Sequence, residues 1–351
     1  AGGMTMRPAT VAPAARPAFP LFLGIRRRVC VKRHEHGGAR AQRGAAVLMA
    51  LFVATLATLI VSGLFWNQFV LLRTIENQQL VSQSRLLLRG ALAWARAILR
   101  EDQRTMPNQT VLTQPWAQGL AETRLDQLGE TSALAARATM AGAIEDAQSR
   151  FNLRNLIRDD FDIDETERDV LRKLCGLLSL PEAIADLVAL HMRAALVPAT
   201  TDEPARPAAD ATRRPIPLVL PEDLLGITGI DPAHALELAK YVVVLDRRTP
   251  VNLNTASAEV IAARFPRMTL TDAKALVAQR DRTYFVQLGD TRLERYRSGG
   301  LPGDQQIAVG SRYFFVRGQV TLDRANTRME ALVRRGDSAS LPVRVMWQRE
   351  L

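Results

Sequence analysis

The chain of 351 residues carries 46 Lys and Arg against 36 Asp and Glu, for a net charge of +10, and 47% of its residues are hydrophobic. This length accommodates one large domain or two to three ordinary ones, and the hydrophobic content excludes a largely disordered chain. Two cysteines, Cys30 and Cys175, exclude a disulfide framework, and the four histidines show no metal-ligand spacing.

The positive charge is concentrated in the first 44 residues. This segment holds nine Lys and Arg with a single acid, Glu35, whereas residues 45–351 hold 37 basic and 35 acidic residues. Its composition, rich in Ala, Arg, Pro and Gly, predicts a disordered basic leader. Because the rest of the chain is nearly neutral, the charge indicates membrane topology and not an electrostatic surface for nucleic acid.

An uncharged apolar stretch follows the leader. Residues 45–66 read AAVLMALFVATLATLIVSGLFW, and a helix of this length spans about 33 Å, enough for a hydrocarbon core of about 30 Å. Since Lys and Arg concentrate on the cytoplasmic side of a span, we expect the leader in the cytoplasm and the chain after Trp66 in the periplasm. A secretory signal peptide, a plain membrane anchor and a prepilin-like segment all remain open for this stretch.

The junction between the leader and the apolar stretch has its own signal. Arg43 and Gly44 stand directly before Ala45, and this pattern resembles the type IV prepilin cleavage site. At such sites a prepilin peptidase cuts after the glycine and methylates the new amino terminus. The resemblance implies cleavage between Gly44 and Ala45, removal of the leader, and a single-pass protein of the cell inner membrane whose bulk is periplasmic.

The helix is predicted to continue beyond the membrane. Residues 67–102 contain no proline, and small or apolar residues recur in steps of three and four, which predicts one helix of about 55 residues that ends before Pro107. The resulting stripe should pack against a soluble domain. It comprises Val81, Ser84, Leu88, Ala91, Ala95 and Ile98.

The middle of the chain changes from strands to helices. Short strands are predicted over residues 116–128 and 134–148, and the following residues are predicted to be mostly helical as far as residue 295. Asp164 should cap a helix that ends at Leu178, and a proline-rich stretch, residues 197–217, should form a surface loop. Further helices are expected over residues 181–196, 221–225, 232–245, 257–265 and 271–282.

The end of the chain alternates apolar and polar residues. Residues 307–321, 329–335 and 343–348 predict a three-stranded antiparallel meander. The early strands need these late strands to form a stable sheet, and the sheet needs a helix to cover one face. The predicted fold class is therefore α+β, with a long N-terminal helix packed on an antiparallel sheet and an all-helical domain inserted before the C-terminal strands.

Five motifs occur in one order along about residues 42–348. They are Arg43-Gly44, Ala91–Ala97 (ALAWARA), Ile144–Leu156 (IEDAQSRFNLRNL), Pro250–Ser257 (PVNLNTAS) and Ser311–Phe314 (SRYF). Together they resemble the family of general secretion pathway protein K, the largest minor pseudopilin of the type II secretion system. The resemblance implies the pseudopilin fold in five parts: a removed leader, residues 1–44; a transmembrane part of the long helix, residues 45–66; the rest of that helix and the first strands, residues 67–150; an inserted helical domain with helix-hairpin-helix-like segments, residues 151–305; and the C-terminal strands, residues 306–351.

The resemblance also implies a function. The chain would cap the tip of the pseudopilus and help initiate its assembly, for export of folded proteins across the outer membrane. Most pseudopilins carry glutamate at the fifth mature position, which neutralises a neighbouring amino terminus. The family's K member lacks it, and the fifth residue after Gly44 here is Met49. Expected partners are other minor pseudopilins in a tip complex, contacted through Val81 and Leu88, the major pseudopilin filament, the prepilin peptidase and the inner membrane.

No cofactor and no enzymatic chemistry are expected, since the sequence contains no recognisable nucleophile motif, phosphate loop or catalytic carboxylate pair. Some family members bind calcium through an acidic, tyrosine-containing loop, whereas residues 197–217 here have no tyrosine. A second acidic run, Asp159–Glu165, lacks the glycine and the terminal glutamate of a calcium loop. We interpret it as helix capping, with calcium as the alternative.

A rival interpretation concerns DNA. Residues 251–257 resemble a helix-hairpin-helix repeat of membrane-anchored DNA receptors, and residues 225–230 offer a second hairpin. Such modules present glycine amides to phosphates. Because the hairpin at residues 265–270 has no glycine, we interpret the segment as a scaffold without a nucleic-acid partner, in which Asn252 and Asn254 bind turn amides. A membrane-anchored DNA-binding or uptake protein remains the alternative function.

Overall fold

The computed structural model describes residues 42–129, 132, 134–196, 214–299, 303, 306–336, 338 and 340–351. Most of the predicted leader, and most of the loop predicted over residues 197–217, lie outside these described residues. The chain divides into two units within its first helix. The first unit ends at Phe69 and the second begins at Val70.

The described helices and strands follow in chain order. The helices are α1 (Gln42–Thr105), α2 (Glu165–Leu177), α3 (Ala183–Leu196), α4 (Pro232–Ala239), α5 (Ala258–Arg264) and α6 (Leu270–Arg280). The strands are β1 (Leu120–Arg124), β2 (Ala138–Asp146), β3 (Phe151–Asn152), β4 (Val242–Val243), β5 (Val251–Asn252), β6 (Ile307–Ala308), β7 (Tyr313–Leu322), β8 (Ala325–Arg334) and β9 (Arg344–Glu350).

The first unit contains the apolar start of α1. An 18-residue window of this helix has a mean hydropathy of 2.4, and none of that window is buried inside the structure. Thr55 and Thr58 donate hydrogen bonds to the carbonyl oxygens of Phe52 and Ala54 at 2.8 and 2.5 Å, so the helix itself satisfies these hydroxyls. Within the described part of the chain, α1 is the one helix long and apolar enough to cross a membrane.

The second unit is built on a five-stranded antiparallel sheet in the order β1-β2-β7-β8-β9. β7 and β8 form a hairpin whose turn contains Asp323 and Arg324, and Asp323 takes a φ of 50° there. Two-residue hairpin turns favour such left-handed backbone. β2 pairs with β7 along its whole length, so the early and late strands join in one sheet across the insertion.

The second half of α1 covers one face of this sheet. Leu88, Leu92, Ala95 and Leu99, spaced by three and four residues, are buried against side chains of β7 and β8. Gly318 of β7 faces Leu88, and a Cβ on this glycine would lie 3.2 Å from Leu88 Cδ2. The glycine therefore lets the helix lie close to the sheet, and the two apolar faces form one core.

The stripe packs on this chain's own sheet, as its predicted contact with a soluble domain requires, and this packing leaves its buried residues closed to the partner subunits that are also expected there. Ser84 and Leu88 are 0% and 2% exposed, and Val81 is half-buried. The expectation that Leu88 contacts other pseudopilins is therefore wrong. A periodic pattern shows that one face of a helix is buried, but it does not show what covers that face.

The helices α2 to α6 lie between β2 and β7 in sequence and share a separate apolar core. Asp164 caps α2 by accepting a hydrogen bond from Glu167 N at 3.3 Å, as its sequence position predicts. Inside the core, Glu167 and Arg264 form a fully buried ion pair at 2.7 Å. This pair joins α2 to α5, and removing either partner would leave a buried charge uncompensated. Three phenylalanines of this core are fully buried, namely Phe151, Phe265 and Phe285.

Two short parallel ladders connect distant parts of the insertion. β3 pairs with β4, and β5 pairs with β6, each over two residues. The helix predicted over residues 232–245 therefore ends at Ala239, because the residues that follow join β3. The predicted meander likewise begins at Tyr313 and not at Ile307, which belongs to β6. Two-residue strands are too short to show an alternating pattern in the sequence.

Candidate functional site

The predicted processing residues lie in the first turns of α1. The helix begins at Gln42, so it includes both Gly44 and Ala45, and its first turn contains no acidic residue. Met49 belongs to a long run of exposed apolar side chains and is itself 69% exposed. This segment offers an apolar surface suited to lipid or to other helices. Met49 adds no negative charge to that surface.

Three of the sequence motifs meet at one buried place between the sheet and the insertion. Asp146 ends β2, Asn252 ends β5, and Ser311 stands just before β7. Asp146 Oδ2 accepts hydrogen bonds from Asn252 Nδ2 at 2.9 Å and from Ser311 Oγ at 2.5 Å. It also accepts one from Thr255 Oγ1 at 2.5 Å. One carboxylate thus joins three segments that are far apart in sequence.

An arginine extends this network to the end of α1. Arg335 Nη1 donates to Asp102 Oδ2 at 2.7 Å, and its Nη2 donates to Thr110 Oγ1 at 2.8 Å and to Ser311 O at 2.6 Å. Asp102 and Arg335 are 4% and 3% exposed. The network connects α1, the sheet and the insertion, and we call it the junction. Its residues are Asp102, Thr110, Asp146, Asn252, Thr255, Ser311 and Arg335.

Burial and pairing oppose one another at the junction. Burial raises the pKa of Asp146, and the hydrogen bonds from Ser311, Thr255 and Asn252 oppose that rise. Burial also raises the pKa of Asp102, against the attraction of Arg335. Burial lowers the pKa of Arg335 in turn, while both carboxylates act to raise it. Asp102 pairs with the Arg335 guanidinium, and Asp146 accepts hydrogen bonds from two hydroxyl groups and an amide. These contacts fix the geometry of the segments that they join, so we interpret the junction as a structural clamp.

The sequence motifs contain only part of the junction. Asn252 Oδ1 does accept a hydrogen bond from the turn amide of Asn254 at 3.0 Å, as expected, but its Nδ2 reaches Asp146 as well. Asp102 and Arg335 carry no local signal, because their contact joins residues far apart in the chain. The sequence offers one indication of this network, which is that Asp146, Asn252 and Ser311 each lie in a separate motif of the same family.

The glycine-free hairpin between α5 and α6 is occupied by a lysine of this chain. Lys173 Nζ of α2 donates hydrogen bonds to the carbonyl oxygens of Phe265, Pro266 and Met268 at 2.7, 3.2 and 3.0 Å. Thr269 is the N-cap of α6, and its backbone amide donates a hydrogen bond to the Asp272 side chain. A phosphate needs free amides at such a hairpin. Here the hairpin presents carbonyl oxygens to an internal cation, which suits a scaffold and not a DNA contact.

Carboxylates of the acidic run at residues 159–165 form ion pairs with arginines and cap a helix. Asp160 and Asp162 pair with Arg158 at 3.3 and 3.4 Å, and Asp164 pairs with Arg248 at 2.6 Å while it caps α2. Calcium takes six to eight oxygen ligands, and here these carboxylates already contact arginines and a helix amide. Across the described residues, no group of three or more His, Cys, Asp and Glu is arranged to hold a metal ion. Most of the other acidic stretch considered for calcium, residues 197–217, lies outside the described part of the chain.

The chain is similar to proteins of one secretion system. The family described as type II secretion system (T2SS), protein K, matches residues 251–309. A relative named type II secretion system protein K, from Pseudomonas aeruginosa, is 28% identical over 316 residues, covering 87% of this chain and 92% of the relative. A relative of the same name from Klebsiella pneumoniae is 28% identical over 260 residues, covering 69% of this chain and 76% of the relative.

A solved structure shares the fold. In the crystal structure of the GspK-GspI-GspJ complex from the enterotoxigenic Escherichia coli type 2 secretion system, one chain matches with a TM-score of 0.60 at 21% identity. The match covers 78% of this chain and 98% of that chain. The predicted family resemblance, the α+β pseudopilin fold and the role of a minor pseudopilin in type II secretion are thereby confirmed. The DNA-binding alternative is not supported.

Proposed function

We propose that this chain, a relative of the type II secretion K proteins, caps the tip of the pseudopilus and helps to initiate its assembly. The observation that carries this proposal is Met49, an exposed apolar residue at the fifth position after Gly44. In lipid an unpaired ammonium is costly, so a subunit docking above would need a carboxylate to meet its amino terminus. Met49 supplies none, and the chain accordingly takes partners beside and below it.

The same proposal includes membrane location and processing. The basic leader and the exposed apolar helix support a single-pass protein of the inner membrane with its bulk in the periplasm. A prepilin peptidase would cut between Gly44 and Ala45 and methylate Ala45. The role is non-enzymatic and needs no cofactor, and the major pseudopilin filament lies beneath.

Other minor pseudopilins would dock on the exposed face of α1. Leu86 and Trp94 are 67% and 51% exposed, unlike the buried stripe beside them. Next to Trp94 lies a groove of about 390 Å³ between α1 and the strands β1 and β2. Its lining is mainly apolar and includes Ile98, Gly119 and Gly142. We assign an apolar helix of a partner pseudopilin to this face because its exposed side chains and its groove are apolar. The GspK-GspI-GspJ complex supports partners of this class.

Replacing Gly44 by valine is expected to leave the chain anchored but unprocessed, because a side chain would stand at the bond that the peptidase must approach. Mass spectrometry of the amino terminus should find methylated Ala45 in wild-type cells and the retained leader in the variant. The matched control is Gly63→Val within the apolar run, where a Cβ meets nothing within 4 Å. That variant should be processed normally. An intact leader on the wild-type membrane protein would rule out the processing step.

Replacing Met49 by glutamate tests the tip position. The new carboxylate is expected to let a further subunit dock above, so immunogold labelling should move from filament ends to positions along the filaments. The control, Ala50→Glu, adds the same charge one residue further along the helix and should leave the labelling at the ends. Wild-type protein distributed along the filaments would contradict capping.

A further inference from the structure

The hairpin between α5 and α6 directs several carbonyl oxygens at one point. The carbonyl oxygens of Phe265, Pro266 and Met268 lie 2.7, 3.2 and 3.0 Å from Lys173 Nζ, which belongs to α2. A lysine ammonium carries three N–H donors and no acceptor, so each donor has one of these oxygens as its partner. We call the three oxygens the carbonyl site.

The carbonyl site is held in shape by the packing around it. Phe265 and Met268 are 0% and 2% exposed, and the Met268 amide donates a hydrogen bond to Phe265 O at 3.1 Å. Arg264, the last residue of α5, forms its buried ion pair with Glu167 of α2 directly beside the hairpin. The fold therefore positions the three oxygens, and a cation that binds them does not have to order the backbone first.

The carbonyl site surrounds a positive charge with neutral dipoles. Burial lowers the pKa of Lys173, and no carboxylate among the described residues pairs with its ammonium. Backbone carbonyl oxygens that replace the hydration shell of an ion are the ligands that bind potassium in selective channels. Calcium and magnesium sites usually include carboxylates. The composition of this site therefore suits a cation with a single charge.

We propose that the carbonyl site is a binding site for a monovalent cation of the size of potassium or ammonium, and that Lys173 fills it from within the chain. The lysine ammonium brings the same single charge as these ions and contacts the same kind of oxygen. Because this cation is attached to α2, the hairpin takes no ion from solution. Removing the ammonium while the oxygens stay in place should create a site that dissolved potassium can occupy.

The test is thermal unfolding of the full-length protein in a non-ionic detergent, followed by circular dichroism in equal concentrations of potassium, lithium or tetramethylammonium chloride. In Lys173→Met the side chain reaches only as far as Cε of the lysine and leaves the place of Nζ open. This variant should unfold at least about 3 °C higher in potassium chloride than in either other salt, because an ion that binds only the folded state stabilises it. The wild type should unfold within about 1 °C in the three salts.

The matched control is Lys274→Met, which removes an exposed lysine of α6 and should behave like the wild type in every salt. If Lys173→Met unfolded at one temperature in all three salts, the carbonyl site would bind no cation and the proposal would be wrong. A gain in lithium chloride equal to that in potassium chloride would contradict a site for an ion of potassium size. Lys173→Ala repeats the comparison if Lys173→Met does not fold. If neither variant folded in potassium chloride, the ion could not replace the ammonium, which would also overturn the proposal.

Discussion

Replacing Asp102 by alanine is expected to lower the free energy of unfolding by roughly 3–5 kcal/mol. The reason is that Arg335 lies 97% buried and would lose its nearest carboxylate, which now accepts a hydrogen bond at 2.7 Å. A buried guanidinium cannot recover its hydration without opening the packing around it. The variant should unfold at lower urea concentration, measured on the full chain in detergent by loss of circular dichroism.

The neighbouring residue gives a matched control. Glu101→Ala removes the same charge from the same turn of α1, but Glu101 is 67% exposed and lies 3.5 Å from an equally exposed Arg104. Surface pairs of this kind contribute about 0–1 kcal/mol, so this variant should remain close to the wild type. If the two variants were equally stable, the junction would not be holding α1 to the sheet and the insertion.

The regular elements could be predicted because their periodicity is local. α1 shows a three- and four-residue apolar spacing over many turns, and β7 to β9 alternate clearly enough to indicate a meander. Asp164 could be identified as a helix cap because a cap and its helix are adjacent in sequence. In each case the residues that make the pattern also make the contact.

The junction and the hydrogen bonds of Asn152 and Asn155 could not be predicted, because these contacts join segments that are far apart. Asn152 and Asn155 belong to a recognisable motif, yet they donate hydrogen bonds to the backbone carbonyl oxygens of Arg247 and Thr249, almost a hundred residues away. The stripe around Leu88 illustrates the same limit, since its pattern predicts burial and leaves the covering surface unknown. A single sequence therefore indicates which residues belong to motifs, but it does not indicate which of these residues contact one another.

Because Leu88 is buried against the chain's own sheet, we expect the partner interface on the exposed face of α1, an expectation that rests on the proposed function. Replacing both Leu86 and Trp94 by glutamate should weaken binding of the other minor pseudopilins by about 100-fold or more. An apolar partner helix would then have to bury two unpaired carboxylates. Because both positions are largely exposed, the chain should still fold and insert into the membrane. Co-purification of minor pseudopilins from detergent-solubilised membranes measures the loss, and secretion should stop with it.

Two further variants separate docking from folding. Leu88→Glu lies two residues from Leu86 and six from Trp94, but this side chain is buried in the core against Gly318, so the variant should lose its folded periplasmic part together with the partners, and limited proteolysis would show the loss. Arg100→Glu changes the net charge by the same two units as the double variant, on an exposed and already polar position of α1, and should keep both partners and secretion. If the Leu86 and Trp94 double variant still co-purified with the other minor pseudopilins, the partner surface would lie elsewhere on the molecule.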